Sequence, residues 1–267
     1  MAVHKQLPGI LVEATLDGVA LRFFVRNMVD DVQHFHLNGQ FYESDALALM
    51  RRWFRPGGVF LDVGANVGYF TALAARRVGP AGRVFAVEPN PSAYARLRRM
   101  VDSNGLSHCT AERIGLSAAP GEVTLYVPPP SHHNDDATMV PVEGWAPTPV
   151  PVRTLDECLD EWGVSAVDLL KIDVEGHEPS VVRGAARSLA AGRIRAVLCE
   201  FNDYWLRRSG SSPLQLWQAL SDAGFVAAGA ADPRRAPDFP RGSMPTLLMT
   251  HSPQGVRRGA TGDVAQR

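Results

Sequence analysis

Three groups of residues have the types and spacing to do chemistry. The first is Asp62, Gly64, Asn66 and Gly68, which close an apolar run and open a helix-forming one. A strand that ends in an acid, turns tightly through Gly-x-Asn-x-Gly and enters a helix lets a ligand approach the backbone. It also offers free backbone N–H groups, as a nucleotide-type cofactor site does. Asn66 suits a left-handed turn position better than most residues. The second is Glu88, twenty positions after Gly68, at the end of the apolar run 83–88 and followed by Pro89. An acid there can accept hydrogen bonds from both hydroxyls of a ribose. The third is a pair of polar strand ends. Asp173, Glu175, His177 and Glu178 follow one apolar run, and Glu200 and Asn202 end the next.

The spacing excludes two common sites. A dinucleotide turn of the NAD type needs Gly-x-Gly-x-x-Gly, and Asn66 takes the place of its central glycine. A P-loop needs Gly-Lys-Ser/Thr, which does not follow. The third group can serve a proton transfer. His177 is the first choice of general base, because an imidazole titrates near neutrality and a nearby carboxylate would stabilise its cation. The plainer alternative is a helix-terminal histidine that orders its turn. His132 and His133 are rival bases if the segment around them folds over the site. Oxygen-rich sets of this kind also suit Mg²⁺. Without a metal, Glu178 would cap a helix and Glu200 would meet Lys171 or a substrate hydroxyl. Tyr204, Trp205 and Trp145 are candidates to stack on a ligand ring or to pack at the rim.

The elements that must position these groups alternate. Runs at 11–16 and 19–25 flank Asp17-Gly18 and predict a hairpin. Ser44 or Asp45 can cap a helix to about 54, ended by Pro56-Gly57-Gly58. Strands are then predicted at 59–63, 83–88, 110–116, 121–127, 167–173, 194–200, 225–228 and 246–250. Helices are predicted at 68–78, 91–103, 154–162, 178–190 and 213–223. The proline-rich segment 128–151 reads as a long loop and a candidate lid. This order implies a mainly parallel, doubly wound α/β sheet with ligands at the carboxyl ends of its strands. The organisation expected is an N-terminal β-rich extension with a lead-in helix over 1–55, one domain over 56–251, and a frayed tail over 252–267.

The chain has 267 residues and a formal charge of −1, which gives no nucleic-acid surface. Three dispersed cysteines make a disulfide framework or zinc cluster unexpected. No apolar run reaches membrane-spanning length and no signal-peptide core is visible, so a cytoplasmic protein is expected. An exposed hairpin edge invites pairing, which makes a homodimer the expected oligomer.

Four segments carry a family resemblance: Asp-Val-Gly-Ala-Asn-Val-Gly-Tyr-Phe-Thr at 62–71, Ala-Val-Glu-Pro-Asn-Pro at 86–91, Val-Arg-Thr-Leu-Asp-Glu at 152–157 and Leu-Lys-Ile-Asp-Val-Glu-Gly-His-Glu at 170–178. In this order they resemble the FkbM family of methyltransferases over roughly residues 40 to 205. The resemblance implies a Rossmann-like class I fold with a seven-stranded sheet, S-adenosylmethionine (SAM) as methyl donor, and O-methylation. The acceptor it implies is a small molecule or oligosaccharide: a sugar or glycoside hydroxyl, with a polyketide or other natural-product hydroxyl as the alternative. A SAM-binding protein without turnover is the rival of another class.

Carried over by position, Asp62, Gly64, Asn66 and Gly68 shape the methionine end of the SAM pocket, with Tyr69, Phe70 and Asp173 beside it. Glu88 and Pro89 hold the ribose, and Ile114 and Gly115 lie along the adenine. Tyr42 and Glu43 match an upstream Tyr-Glu pair that touches the cofactor, unless Tyr42 only packs under the lead-in helix. The layout also resembles metal-dependent catechol-type methyltransferases, which makes Asp173, Glu200 and Asn202 the expected Mg²⁺ ligands.

Overall fold

A computed structural model describes residues 10–16, 18–25, 44–129 and 137–251. Strands β1 (Ile10–Leu16) and β2 (Val19–Val25) form the expected antiparallel hairpin. Helix α1 (Ser44–Met50) and a 3-10 turn (Arg51–Trp53) lead to the main sheet. Strand β3 (Val59–Val63), helix α2 (Tyr69–Val78), strand β4 (Arg83–Val87), helix α3 (Pro91–Ser103) and strand β5 (Cys109–Glu112) then alternate. Asn90 caps α3 by accepting from Ser92 N–H, and Pro91 starts it with the φ a first turn needs.

Short strand β6 (Gly115–Leu116), β7 (Gly121–Val127) and β8 (Ala146–Arg153) form a separate three-stranded sheet in the order β6-β8-β7. Thr154 and Glu157 make a reciprocal capping box on α4 (Leu155–Glu161). There follow β9 (Leu169–Ile172), α5 (Glu178–Gly184), α6 (Ala186–Ala190), β10 (Ala196–Glu200), α7 (Asp203–Arg208), α8 (Pro213–Asp222), β11 (Phe225–Ala227) and β12 (Thr246–His251).

The main sheet has seven strands in the order β11-β12-β10-β9-β3-β4-β5. The five from β10 to β5 are parallel, and β12 runs antiparallel to both its neighbours. The chain winds outward from β3 through β4 and β5, then returns to lay β9 on the other side of β3. That reversal leaves a crevice at the carboxyl ends of β3 and β9, where a doubly wound sheet takes its ligand. Asp62 pairs with Lys171 and Val63 with Ile172 in this register.

Both sheet faces are buried, and the period of two divides each strand between two cores. Phe60, Val84 and Leu198 face the layer holding α2 and α3, with Leu21 and Phe23 of the hairpin packed into it. Leu61, Phe85 and Val197 face the layer holding α4, α5 and α8. The hairpin is also fastened by Asn104 at the end of α3, which accepts from Arg22 N–H at 2.9 Å and donates to Arg22 C=O at 2.7 Å.

Four expectations need correction. The strand expected over 110–116 is two, because the chain leaves the main sheet after Glu112 and joins the small one at Gly115. The loop expected to run to 151 contains β8. Its Pro147, Pro149 and Pro151 fall on alternate positions, so their missing donors all lie on one side of the strand, and β6 pairs with β8 only at Val152 and Arg153, which leaves 146–151 paired with β7 alone in the three-stranded sheet. The helix expected over 178–190 is interrupted at Ala185. Helix α7, after Asn202, was not anticipated. Asp17, Tyr42, Glu43, His132, His133 and the tail from 252 lie outside the described residues.

Candidate active site

The carboxyl ends of β3, β4, β9 and β10 surround a cleft of about 1260 Å³, solvent at its mouth included. Of the residues singled out by sequence, Gly64, Asn66, Tyr69, Phe70, Glu88, Pro89, Ile114, Gly115, Asp173, His177 and Glu200 line it. Asp62, Gly68 and Asn202 stand behind this wall.

The glycine turn is built for close packing. Gly64 has φ +79°, and a Cβ there would lie 1.8 Å from the Asp173 carbonyl oxygen, so β3 and β9 touch backbone to backbone. At Gly68, φ +91°, a Cβ would meet the side-chain ends of Met100 and Leu97 on α3 at 2.4 and 2.7 Å. Asn66 takes φ +48°, in the left-handed region. Four of the turn amides are spent inside the fold, however. Gly64 and Ala65 N–H both donate to Val87 C=O at 3.1 Å, and Gly68 N–H donates to Ala65 C=O at 2.8 Å. Asn66 N–H donates to Glu88 Oε2 at 2.8 Å. The turn is thus tied to β4, and what it offers a ligand is its shape.

Glu88 is fixed from both sides. Its Oε1 accepts from Asn90 N–H at 2.8 Å while Oε2 takes Asn66 N–H. These two bonds hold the carboxylate in a set orientation at the cleft wall. Asp62 is buried under the turn, and Thr71 Oγ1 donates to its Oδ2 at 2.6 Å. Burial pushes its carboxyl pKa up, and the Lys171 charge pulls against that. Asp62 therefore fastens the turn to α2 from below and does not face the ligand space.

Across the cleft, Asp173, Glu175 and Glu200 bring carboxylate oxygens within 4.8 Å of one another. Lys171 Nζ reaches Asp173 Oδ2 at 2.8 Å and lies 5.0 Å from the Phe70 ring centroid. Among the described residues that line the cleft, Lys171 is the one lysine or arginine. Glu175, which sequence reasoning placed only near the site, sits in the left-handed region at φ +49°, a strained conformation for a residue of its kind. Its turn is held by Glu178, whose Oε1 accepts from Val174 N–H at 3.0 Å and Gly176 N–H at 3.2 Å. Thr138 Oγ1 donates to Glu175 C=O at 2.7 Å, which lays the segment 137–140 across the cleft beside Met139. Glu178 is fully buried, and burial raises its pKa to about 7 against the pull of those backbone bonds.

Two expected roles meet a different geometry. His177 lies in the cleft wall with Nε2 3.0 Å from Ser117 Oγ, where a carboxylate partner was expected. Burial, with the Arg183 charge behind it, lowers its pKa to about 4, so it is a neutral and weak base. Asn202 turns Oδ1 to the Trp205 N–H at the start of α7 and Nδ2 toward Glu175 Oε2, each at 3.4 Å. Its ligating oxygen serves as a helix cap, and Glu175 takes the place expected of it beside Asp173 and Glu200. The sequence marked Glu175 only by its place before Gly176 in the turn after β9, and its left-handed backbone is seen in the structure alone.

A family model described as the methyltransferase FkbM domain matches residues 62–227, which include the turn, Glu88 and both acid-bearing strand ends. Hexuronic acid methyltransferase AglP of Haloferax volcanii is 28% identical over 212 residues, 79% of this chain and 80% of its own. 2-O-methyltransferase NoeI of Sinorhizobium fredii is 27% identical over 214 residues, 74% of this chain and 81% of its own. 31-O-demethyl-FK506 methyltransferase FkbM of Streptomyces tacrolimicus is 32% identical over 181 residues, 56% of this chain and 67% of its own. With the turn, the fixed glutamate and the acidic cleft all inside the matched span, the chain belongs to the FkbM family of SAM-dependent methyltransferases.

Proposed function

We propose that this O-methyltransferase acts on a hydroxyl of a sugar or glycoside. The observation that carries the reading is the single cleft in which the fixed Glu88 faces an acidic cluster across the glycine turn. The relatives AglP and NoeI support a sugar acceptor by their names, and 31-O-demethyl-FK506 methyltransferase keeps a natural-product hydroxyl as the second reading.

The cleft residues suit the donor. Glu88 presents an oriented carboxylate at the cleft wall to a ribose diol, Ile114 and Gly115 give an apolar wall for adenine, and Asn66 Oδ1 is buried without a hydrogen-bond partner. When bound, SAM supplies a methyl group already activated as a sulfonium. The protein must then aim one acceptor oxygen, exclude water and take the hydroxyl proton. We assign the proton to the carboxylates of Asp173, Glu175 and Glu200, which stand together in the cleft. His177 is given an orienting role through Ser117, and His133 is kept as a rival base from outside the described residues. Lys171 keeps the acidic set from excessive repulsion.

The same set is a poor fit for Mg²⁺. Lys171 already supplies a cation at Asp173, and Asn202 has its oxygen on a helix cap.

The reading is tested by offering SAM with matched panels of glycosides and polyketide alcohols and reading product masses. One added methyl on a glycoside, at an oxygen, is the expected result. Methylation confined to polyketide alcohols would replace the acceptor class, and methylation of amines alone would overturn O-transfer.

A further inference from the structure

Beside the cleft, and sharing His177 and Met139 with it, runs a second, wider groove of about 1610 Å³ including open solvent. Its floor comes from β7, and its far side from α5 and the α7–α8 connection. Two guanidinium groups line it, Arg183 on α5 and Arg208 at the end of α7. Both are exposed. Arg183 donates to Ser180 Oγ at 2.8 Å and Arg208 to Pro141 C=O at 2.9 Å, both neutral acceptors. Among the described residues no carboxylate lies within ion-pair distance of either, although most of the arginines elsewhere in this fold that line a polar contact have one, as Arg187 and Arg193 share Asp160. Arg208 also lies over the rings of Tyr204 and Trp205, at 5.5 and 5.9 Å from their centroids, with Tyr204 half exposed at the rim. Ser211 and Gln215 add neutral hydrogen-bonding groups to the same wall.

From this arrangement we infer that the groove is the acceptor site and selects an acceptor bearing an oxyanion, a carboxylate or a phosphate, bound between Arg183 and Arg208. Two guanidiniums without carboxylates are prepared to receive such a group, and they do so with bidentate geometry that a neutral hydroxymethyl group cannot match. The aromatic rim beside Arg208 suits the apolar face of a sugar ring. The shared His177 and Met139 are the point where an acceptor lying in the groove would present a hydroxyl to the cleft. The contrast with the cleft is complementary: its acids would repel an anion, so the anionic end belongs in the groove and the reacting hydroxyl in the cleft. The inference rests on the sugar reading above.

The test compares a methyl glucoside, the corresponding glucuronide and glucose 6-phosphate as acceptors with the full chain and SAM. Trp fluorescence titrations with glucuronate and with inorganic phosphate are run alongside. The anionic acceptors are expected to show KM values at least about tenfold below the neutral one. R183Q and R208Q are expected to bring that ratio close to one, and added salt to weaken it. R76Q, at an exposed arginine of α2 whose guanidinium donates to the Asn104 carbonyl, serves as the matched control away from the groove. Preference for the glucuronide over the phosphate, or the reverse, identifies which oxyanion is read. Equal KM values for neutral and anionic sugars, or a ratio that survives both variants, would overturn the inference. If no sugar is methylated but glucuronate or phosphate binds the wild type and not R183Q or R208Q, the groove assignment stands and the sugar reading falls. Absence of binding by both anions overturns the groove assignment whatever the turnover.

Discussion

The two ends of the main sheet treat their acids in opposite ways. At the amino end of β9, Asp168 accepts from Val59 N–H at 2.9 Å and pairs with both Arg55 and Arg195. Burial pushes its pKa up, but these three partners win and hold it below the ordinary carboxylate range. At the carboxyl end, Asp62, Asp173, Glu175, Glu178 and Glu200 crowd around one lysine. One end is neutralised and closes the fold. The other keeps a surplus of acid, at a cost in stability that makes sense only if the acids have work to do.

The largest contrast should come from removing a cation at each end. Lys171→Met leaves buried Asp62 and part-buried Asp173 without it. A loss of about 3–5 kcal/mol is expected in urea unfolding, with turnover down by about 100-fold or more. Arg195→Gln leaves Asp168 with Arg55 and Val59 N–H, and should cost about 1 kcal/mol or less. Similar losses in the two variants would erase the distinction between the ends.

Opposite pH dependences should follow. The Asp168 pKa is depressed in the fold, so its contribution is complete above the unfolded value and is lost as pH falls through the folded one. Glu178 is raised to about 7 from 4.5, so the folded chain binds the extra proton and stability falls as pH rises across that window. Glu178→Gln should remove up to about 3 kcal/mol of that slope while preserving an acceptor for Val174 and Gly176 N–H. Unfolding midpoints measured from pH 4.5 to 8 in both proteins decide this, and parallel curves would remove Glu178 as their source.

His177→Ala gives a smaller effect. A proton acceptor would cost about 10²–10⁴ in kcat, whereas an orienting neutral imidazole should cost about tenfold or less. The pH-rate profiles of the wild type and His177→Ala should have the same shape between pH 6 and 8, because His177 is already neutral there. Smallest of all, EDTA should leave turnover within about twofold, since Lys171 occupies the cationic position beside Asp173.

Local signals were readable in the sequence. Asn90 and Pro91 mark the start of α3, Thr154 and Glu157 mark that of α4, and the spacing from Gly64 to Glu88 identifies two sides of the cleft. What escaped depends on partners distant in the chain. Nothing near Gly64 indicates that the turn amides would be spent on Val87 and Glu88, and nothing near Asn202 indicates which way its amide would face. The alternating prolines of β8 concealed a strand because their tolerance depends on which edge they face. The weak basicity of His177 comes from burial and from Arg183, neither of which its flanking residues reveal.

The central claim is that the acid-rich carboxyl end, oriented through Glu88, holds the methyl donor. Titration calorimetry of SAM against the wild type, Glu88→Ala and Arg195→Gln tests it most directly. Losing two charge-assisted hydrogen bonds should raise Kd for Glu88→Ala by at least about 100-fold, with Arg195→Gln matching the wild type. Equal SAM affinity in all three proteins, or none in the wild type, would contradict the account.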